Sequence, residues 1–111
     1  MTFSISTFQG HSVVRADGEL DVSTAPQLRQ TITDALDEGG GKLIVDLTTV
    51  TFMDSTTLGV LIGAHNRVRE TGGALGLVTP DDKIRRVFRI TGLDKVFPLF
   101  DTVPEAATAD A

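Results

Sequence analysis

Cysteine is absent from this 111-residue chain, which excludes disulfides, thiolate nucleophiles and cysteine zinc sites. Histidine occurs only as His11 and His65, too far apart for metal-site spacing, so neither a metal nor another cofactor is expected. Positive charge is scarce. Ten Lys and Arg stand against fifteen Asp and Glu, a net charge of −5, so nucleic-acid phosphates are repelled and no direct nucleic-acid partner is expected. The segment Met1-Thr2-Phe3-Ser4-Ile5-Ser6 has neither a basic n-region nor an apolar h-region. The longest apolar stretch, around Leu58 to Ala64, is far short of a membrane span, so the expectation is a cytoplasmic protein with no membrane partner. Repeats and a domain linker are missing too. Length and a 41% hydrophobic content fit one domain over residues 1–111, with its core at about 3–100.

What is present alternates between strand and helix signals. Phe3 to Phe8 and His11 to Asp17, joined by Gln9-Gly10, read as a hairpin. A first helix starts at Ser23 or Thr24, where Thr24-Ala25-Pro26-Gln27 has capping-box spacing with proline in the first turn. Leu28, Ile32, Ala35 and Leu36 form its apolar face. Glycines 39 to 41 end this helix and lead into a buried strand, Leu43 to Leu47, followed by a loop through Thr51-Phe52-Met53. A second helix starts at Ser55 or Thr56 and stops before Gly72-Gly73. Its inward face carries Leu58, Leu61, Ile62, His65 and Val68, with His65 read as a partly buried core residue. Gly59 and Gly63 form a smooth patch that would let this helix lie close to a sheet.

Ala74 to Val78 reads as another strand, and Thr79-Pro80-Asp81-Asp82 opens a third helix with acids in its first turn. Ile84, Val87 and Phe88 point inward, while Lys83, Arg85, Arg86 and Arg89 make a basic, solvated face. Gly92 ends the helix, Val96 to Phe100 adds an edge strand, and the tail at about 104–111 is expected to be flexible. Strands alternating with helices from residue 42 imply parallel pairing through right-handed crossovers, and the hairpin makes the sheet mixed. The fold class is α/β.

Asp54-Ser55-Thr56-Thr57-Leu58-Gly59 joins the buried strand to the second helix. Asp and Ser at a helix start can cap free backbone N–H groups. The same place presents a hydroxyl beside a carboxylate at the positive end of a helix, where a phosphate meets N–H donors and a favourable dipole. Local physics leaves both readings open, a plain N-cap or an accessible phosphoacceptor.

The wider pattern adds to this. Val50-Thr51-Phe52-Met53-Asp54-Ser55-Thr56-Thr57-Leu58-Gly59-Val60, preceded by Gly18-Glu19-Leu20-Asp21, is followed by Gly72-Gly73, Val87-Phe88, Ile90 and Gly92-Leu93. Together these resemble the STAS domain (sulfate transporter and anti-sigma factor antagonist), and within it the free-standing bacterial anti-sigma factor antagonists, from about Ile5 to Phe100. The resemblance implies a single STAS domain, a small mixed sheet with helices packed against it. It implies that Ser55, following the motif aspartate, is phosphorylated. It implies two partners, an anti-sigma factor serine kinase that the unphosphorylated form binds, releasing a sigma factor, and a serine phosphatase that resets the switch. Such a protein is a substrate, not an enzyme. The partner-binding residues it points to are Asp21, Asp54, Ser55, Thr56, Thr57, Leu58 and Gly59, with Asp21 expected at the end of the second strand on the same edge as Ser55.

One departure stands out. These antagonists usually carry glycine where this chain has Thr57, whose branched side chain restricts the backbone and, with Thr56, adds a competing hydroxyl. The rival within the family is a STAS scaffold or lipid-transport accessory without phosphorylation. A serine-nucleophile enzyme lacks a histidine in a catalytic-looking loop. Nucleotide binding lacks a phosphate loop, since Gly39-Gly40-Gly41 precedes a strand instead of following one.

Overall fold

A computed structural model describes residues 2–39 and 41–109. Met1, Gly40 within the glycine break, and the last two residues of the expected tail lie outside the described residues. Five strands form one sheet in the order β1-β2-β3-β4-β5. β1 (Thr2–Phe8) and β2 (His11–Leu20) make the antiparallel hairpin, and β3 (Lys42–Met53), β4 (Ala74–Val78) and β5 (Leu99–Phe100) follow in parallel. Between them run α1 (Ala25–Gly39), α2 (Ser55–Glu70) and α3 (Asp82–Thr91).

Alternation along the central strands sorts their side chains between two buried faces. Val14, Leu43, Val45, Leu75 and Leu77 meet Leu28 and Ile32 of α1, Leu61 and Val68 of α2, and Ile84 and Phe88 of α3 in one core. Val13, Ile44 and Val78 point the other way, against Ala106 and Ala107 of α4 (Val103–Ala109). Described residues 104–109 are therefore helix and not a flexible tail. Thr102 Oγ1 accepts from the Glu105 N–H (3.2 Å), and Glu105 Oε1 accepts from the Asp101 N–H (3.4 Å). That is close to a capping box, followed by alanines that favour helix.

Other expectations shift for tertiary reasons. β3 runs on through Thr51-Phe52-Met53, where a loop was expected, because β2 pairs with it as far as Leu20 opposite Met53. Val50 and Met53 are buried there while the intervening Thr51 and Phe52 face out. β5 is only two residues; Phe97 instead anchors the connection, edge-on to both Phe88 and His65. Ile62 is exposed, off the inward stripe of α2. At the start of α1, the Thr24 hydroxyl accepts from the Asp21 N–H (2.9 Å) and not from within the helix. Gly73 is fixed by close approach, since a Cβ there would collide with the Gly41 carbonyl, to which Ala74 N–H donates (2.8 Å). Gly92 ends α3 in the left-handed region at φ 76°.

Candidate functional site

Asp54 leaves β3 with extended backbone, φ −109° and ψ −179°, and caps α2. Its Oδ1 accepts both the Thr57 N–H (3.0 Å) and the Thr57 hydroxyl (3.2 Å). Ser55 is thus the first helical residue and not the cap. It is exposed, and among the described residues its hydroxyl makes no hydrogen bond. Beyond the Asp54 cap no acid occupies the first turn of α2, and the N–H groups of Ser55 and Thr56 have no partner within the helix.

Asp21 follows β2 directly. The Asp54 N–H donates to the Leu20 carbonyl (3.1 Å), which brings the residues after both strands side by side. Asp21 Oδ1 accepts the Ser23 hydroxyl (2.6 Å), the Ser23 N–H (3.0 Å) and the Thr24 N–H (3.3 Å). These bonds, the Ser23 hydroxyl foremost, hold its carboxyl below the usual carboxylate range. Asp21 therefore organises the turn into α1 while keeping its charge at the edge where Ser55 lies. Two apolar side chains flank that edge, Val22 at 69% and Phe52 at 49% exposure. Sequence reasoning missed both as surface residues. The available signal was an apolar residue inside a polar turn for Val22, and one next to the motif Met-Asp for Phe52.

The remaining site residues divide by burial. Thr56 and Gly59 join Ser55 on the exposed face of α2. Thr57 is fully buried and Leu58 nearly so, and the Thr57 hydroxyl donates to Asp54 and is not exposed beside Ser55. Threonine at this position locks the cap instead. Gly59 and Gly63 do not bring α2 close to the sheet, because no atom lies within 4 Å of a Cβ built on either. They line a groove against α1 with Arg29, Ile32 and Arg67.

Neither histidine reaches Ser55. His65 lies ten residues along α2, about 15 Å of rise, and burial with Arg69 nearby pushes its pKa down. His11 begins β2, at the opposite end of the sheet from the β3 terminus. On α3, Arg85 is not simply solvated: its Nε–H donates to the Thr79 carbonyl (2.6 Å) and its Nη2 to Asp101 (2.8 Å). Lys83, Arg86 and Arg89 are exposed. Strand ends are also staggered, since β4 stops with Val78 level with Asp46 while β3 continues to Met53. Among the described residues, no group of His, Cys, Asp and Glu could hold a metal, and no helix is long and apolar enough to cross a membrane.

A model of the STAS domain family matches residues 2–106. The anti-sigma-B factor antagonist of Staphylococcus aureus is 38% identical over 80 residues, covering 72% of this chain and 74% of that protein. Among solved structures, an anti-sigma factor antagonist from Mycobacterium paratuberculosis is 36% identical with a TM-score of 0.83, covering 98% of this chain and 92% of that one. SpoIIAA from Bacillus, in its phosphorylated form, is 26% identical with a TM-score of 0.73, covering 97% and 98%.

Proposed function

The chain belongs to the STAS domain family, and on that premise we propose that it is an anti-sigma factor antagonist switched by phosphorylation of Ser55. Unphosphorylated, it binds an anti-sigma factor serine kinase and frees a sigma factor. The kinase transfers the γ-phosphoryl group of ATP to the Ser55 hydroxyl, and the modified antagonist is released. A serine phosphatase hydrolyses the phosphoserine and resets the cycle. The chain itself is substrate and switch and performs no catalysis.

The observation that carries this reading is the free, exposed hydroxyl of Ser55 at the first position of a helix already capped by Asp54. The fold does not need that hydroxyl, so it is available for modification. A phosphate there adds about −1.5 to −2 charges and three acceptor oxygens, which the helix start accommodates. Across an interface the same group adds bulk and repels acids nearby. A loss of about 3 kcal/mol already weakens a complex more than about a hundredfold. The proposed footprint is Asp21, Asp54, Ser55, Thr56 and Gly59, extended by Val22 and Phe52. Buried Thr57 and Leu58 support it from beneath.

Incubation with the anti-sigma factor kinase and ATP, followed by peptide mapping, tests the assignment. Phosphate is expected on Ser55. Phosphate mainly on Thr56 would overturn the site, and no incorporation at all would favour the unphosphorylated scaffold or lipid-transport reading.

A further inference from the structure

β1 is an outer strand of the sheet, paired on one side only among the described residues. Edges of this kind invite another strand, and proteins usually blunt them with charges, proline, bulges or short length. The opposite edge, β5, is two residues long. β1 has none of these protections: Thr2-Phe3-Ser4-Ile5-Ser6-Thr7-Phe8 is seven residues without charge or proline, and its register with β2 is unbroken. Five of the seven residues are exposed, Ile5 among them at 39%.

The sequence of this strand also says what fits it. Read in either direction from Ile5 it runs Ser, then Phe or Thr, then Thr or Phe. Two copies in antiparallel register about a two-fold axis at Ile5 place Ser4 opposite Ser6 of the second copy, Phe3 opposite Thr7, and Thr2 opposite Phe8. No like charges meet, and side chains of matching face stay together, because the strand period is two. Ile5 meets its counterpart beside the helix-covered face, since it pairs with buried Val14. Aromatic–threonine and Ser–Ser neighbours are favourable cross-strand pairs.

We propose that two copies of this chain associate through β1, joining their sheets into a continuous one of ten strands. The contact is isologous and closes on itself, which gives a dimer and no fibre. One strand pair is a small interface, so the dimer is weak and concentration-dependent. It is independent of the Ser55 switch and is measured with no partner present.

The absence of cysteine gives a register-specific test. The Ile5→Cys variant brings two thiols together at the two-fold, where facing Cβ atoms lie about 5 Å apart and a disulfide can close. In Thr7→Cys the two thiols are offset by four residues, about 14 Å, and cannot bridge. Mild oxidation should link Ile5→Cys into dimers at least about tenfold faster than Thr7→Cys, given that geometry. In parallel, sedimentation of the wild type from about 10 µM to about 1 mM should show the average mass rising toward twice the monomer value, as expected for a weak interface. Ile5→Lys, which sets two ammonium groups face to face, should hold the mass at the monomer value with its melting temperature unchanged. If that variant melts early, Ser4→Lys, on an exposed position, replaces it. Wild-type protein that stays monomeric throughout, or equal crosslinking of the two cysteine variants, would overturn the proposal.

Discussion

Helices α2 and α3 start with the same device and present different surfaces. Each follows a parallel strand and is capped by an aspartate in extended conformation, Asp54 accepting from the Thr57 N–H and Asp81 from the Lys83 N–H. After the cap, α3 places Asp82 in its first turn, whereas α2 has Ser55 and no acid. The positive end of α3 thus meets two carboxylates, Asp81 and Asp82, whereas that of α2 meets one, Asp54, and has a hydroxyl where α3 has its second acid. Surroundings differ as well. α2 starts beside Asp21 at the tip of the long β2–β3 ribbon, while α3 follows β4, which stops level with Asp46. Capping alone therefore does not make a site. What separates the two starts is the free hydroxyl of Ser55 and the neighbouring end of β2.

The largest expected effect is on partner binding. By calorimetry, phosphorylation at Ser55 should weaken binding to the anti-sigma factor kinase more than about a hundredfold. Ser55→Asp should weaken it less, because one charge imitates phosphate incompletely, and Ser55→Ala should bind like wild type but resist inactivation. Equal affinity of all these forms would refute the switch. Asp82→Ser makes the α3 start an Asp-Ser pair as well; it should gain no phosphate from the same kinase, because the Asp21 and Phe52 surroundings are missing. Modification there would show that a capped helix start alone suffices.

A smaller effect concerns stability. Asp54→Ala and Asp81→Ala should each lower unfolding free energy by about 0.5–2 kcal/mol in denaturant titrations. Asp54→Ala should be the costlier, because it also strands the buried Thr57 hydroxyl. Ser55→Ala should stay within about 0.5 kcal/mol of wild type, since Ser55 is not the cap. A loss at Ser55 matching that at Asp54 would assign the cap to the wrong residue.

Charge reversal sharpens the contrast in surroundings. Asp21→Lys should weaken kinase binding more than Arg86→Glu. It should also lower unfolding free energy on the scale of a lost helix cap, because the bonds from Ser23 and Thr24 are lost, while Arg86→Glu should leave the melting temperature nearly unchanged. If Arg86→Glu abolishes binding and Asp21→Lys leaves it intact, the interface belongs to α3 and not to the start of α2.

The smallest effect is a pH dependence within α2 itself. Burial against Phe97 lowers the His65 pKa below its ordinary 6.5. The unfolded chain then binds the proton more readily, so His65 lowers stability as pH falls through and below about 6.5. His65→Gln should flatten that part of the stability profile. An unchanged slope would place the titration elsewhere.

The sequence by itself determined the hairpin, the three amphipathic helices, the parallel strands between them and the Asp54-Ser55 junction, because each rests on local periodicity or capping chemistry. Tertiary structure decided the rest. Thr51-Phe52-Met53 looks like loop until β2 pairs Glu19 with Phe52 and Leu20 with Met53 and turns β3 into a strand ending at Met53. Residues 103–109 lack an apolar stripe, yet Ala106 and Ala107 are small enough to seat a short helix on the second face of the sheet. Thr57 reads as a surface hydroxyl until the helix axis is fixed against the core and turns it inward onto Asp54. Gly59 and Gly63 face open space because α2 packs through its other side. In each case local composition leaves two environments nearly equal in free energy, and only pairing and packing with distant residues separate them.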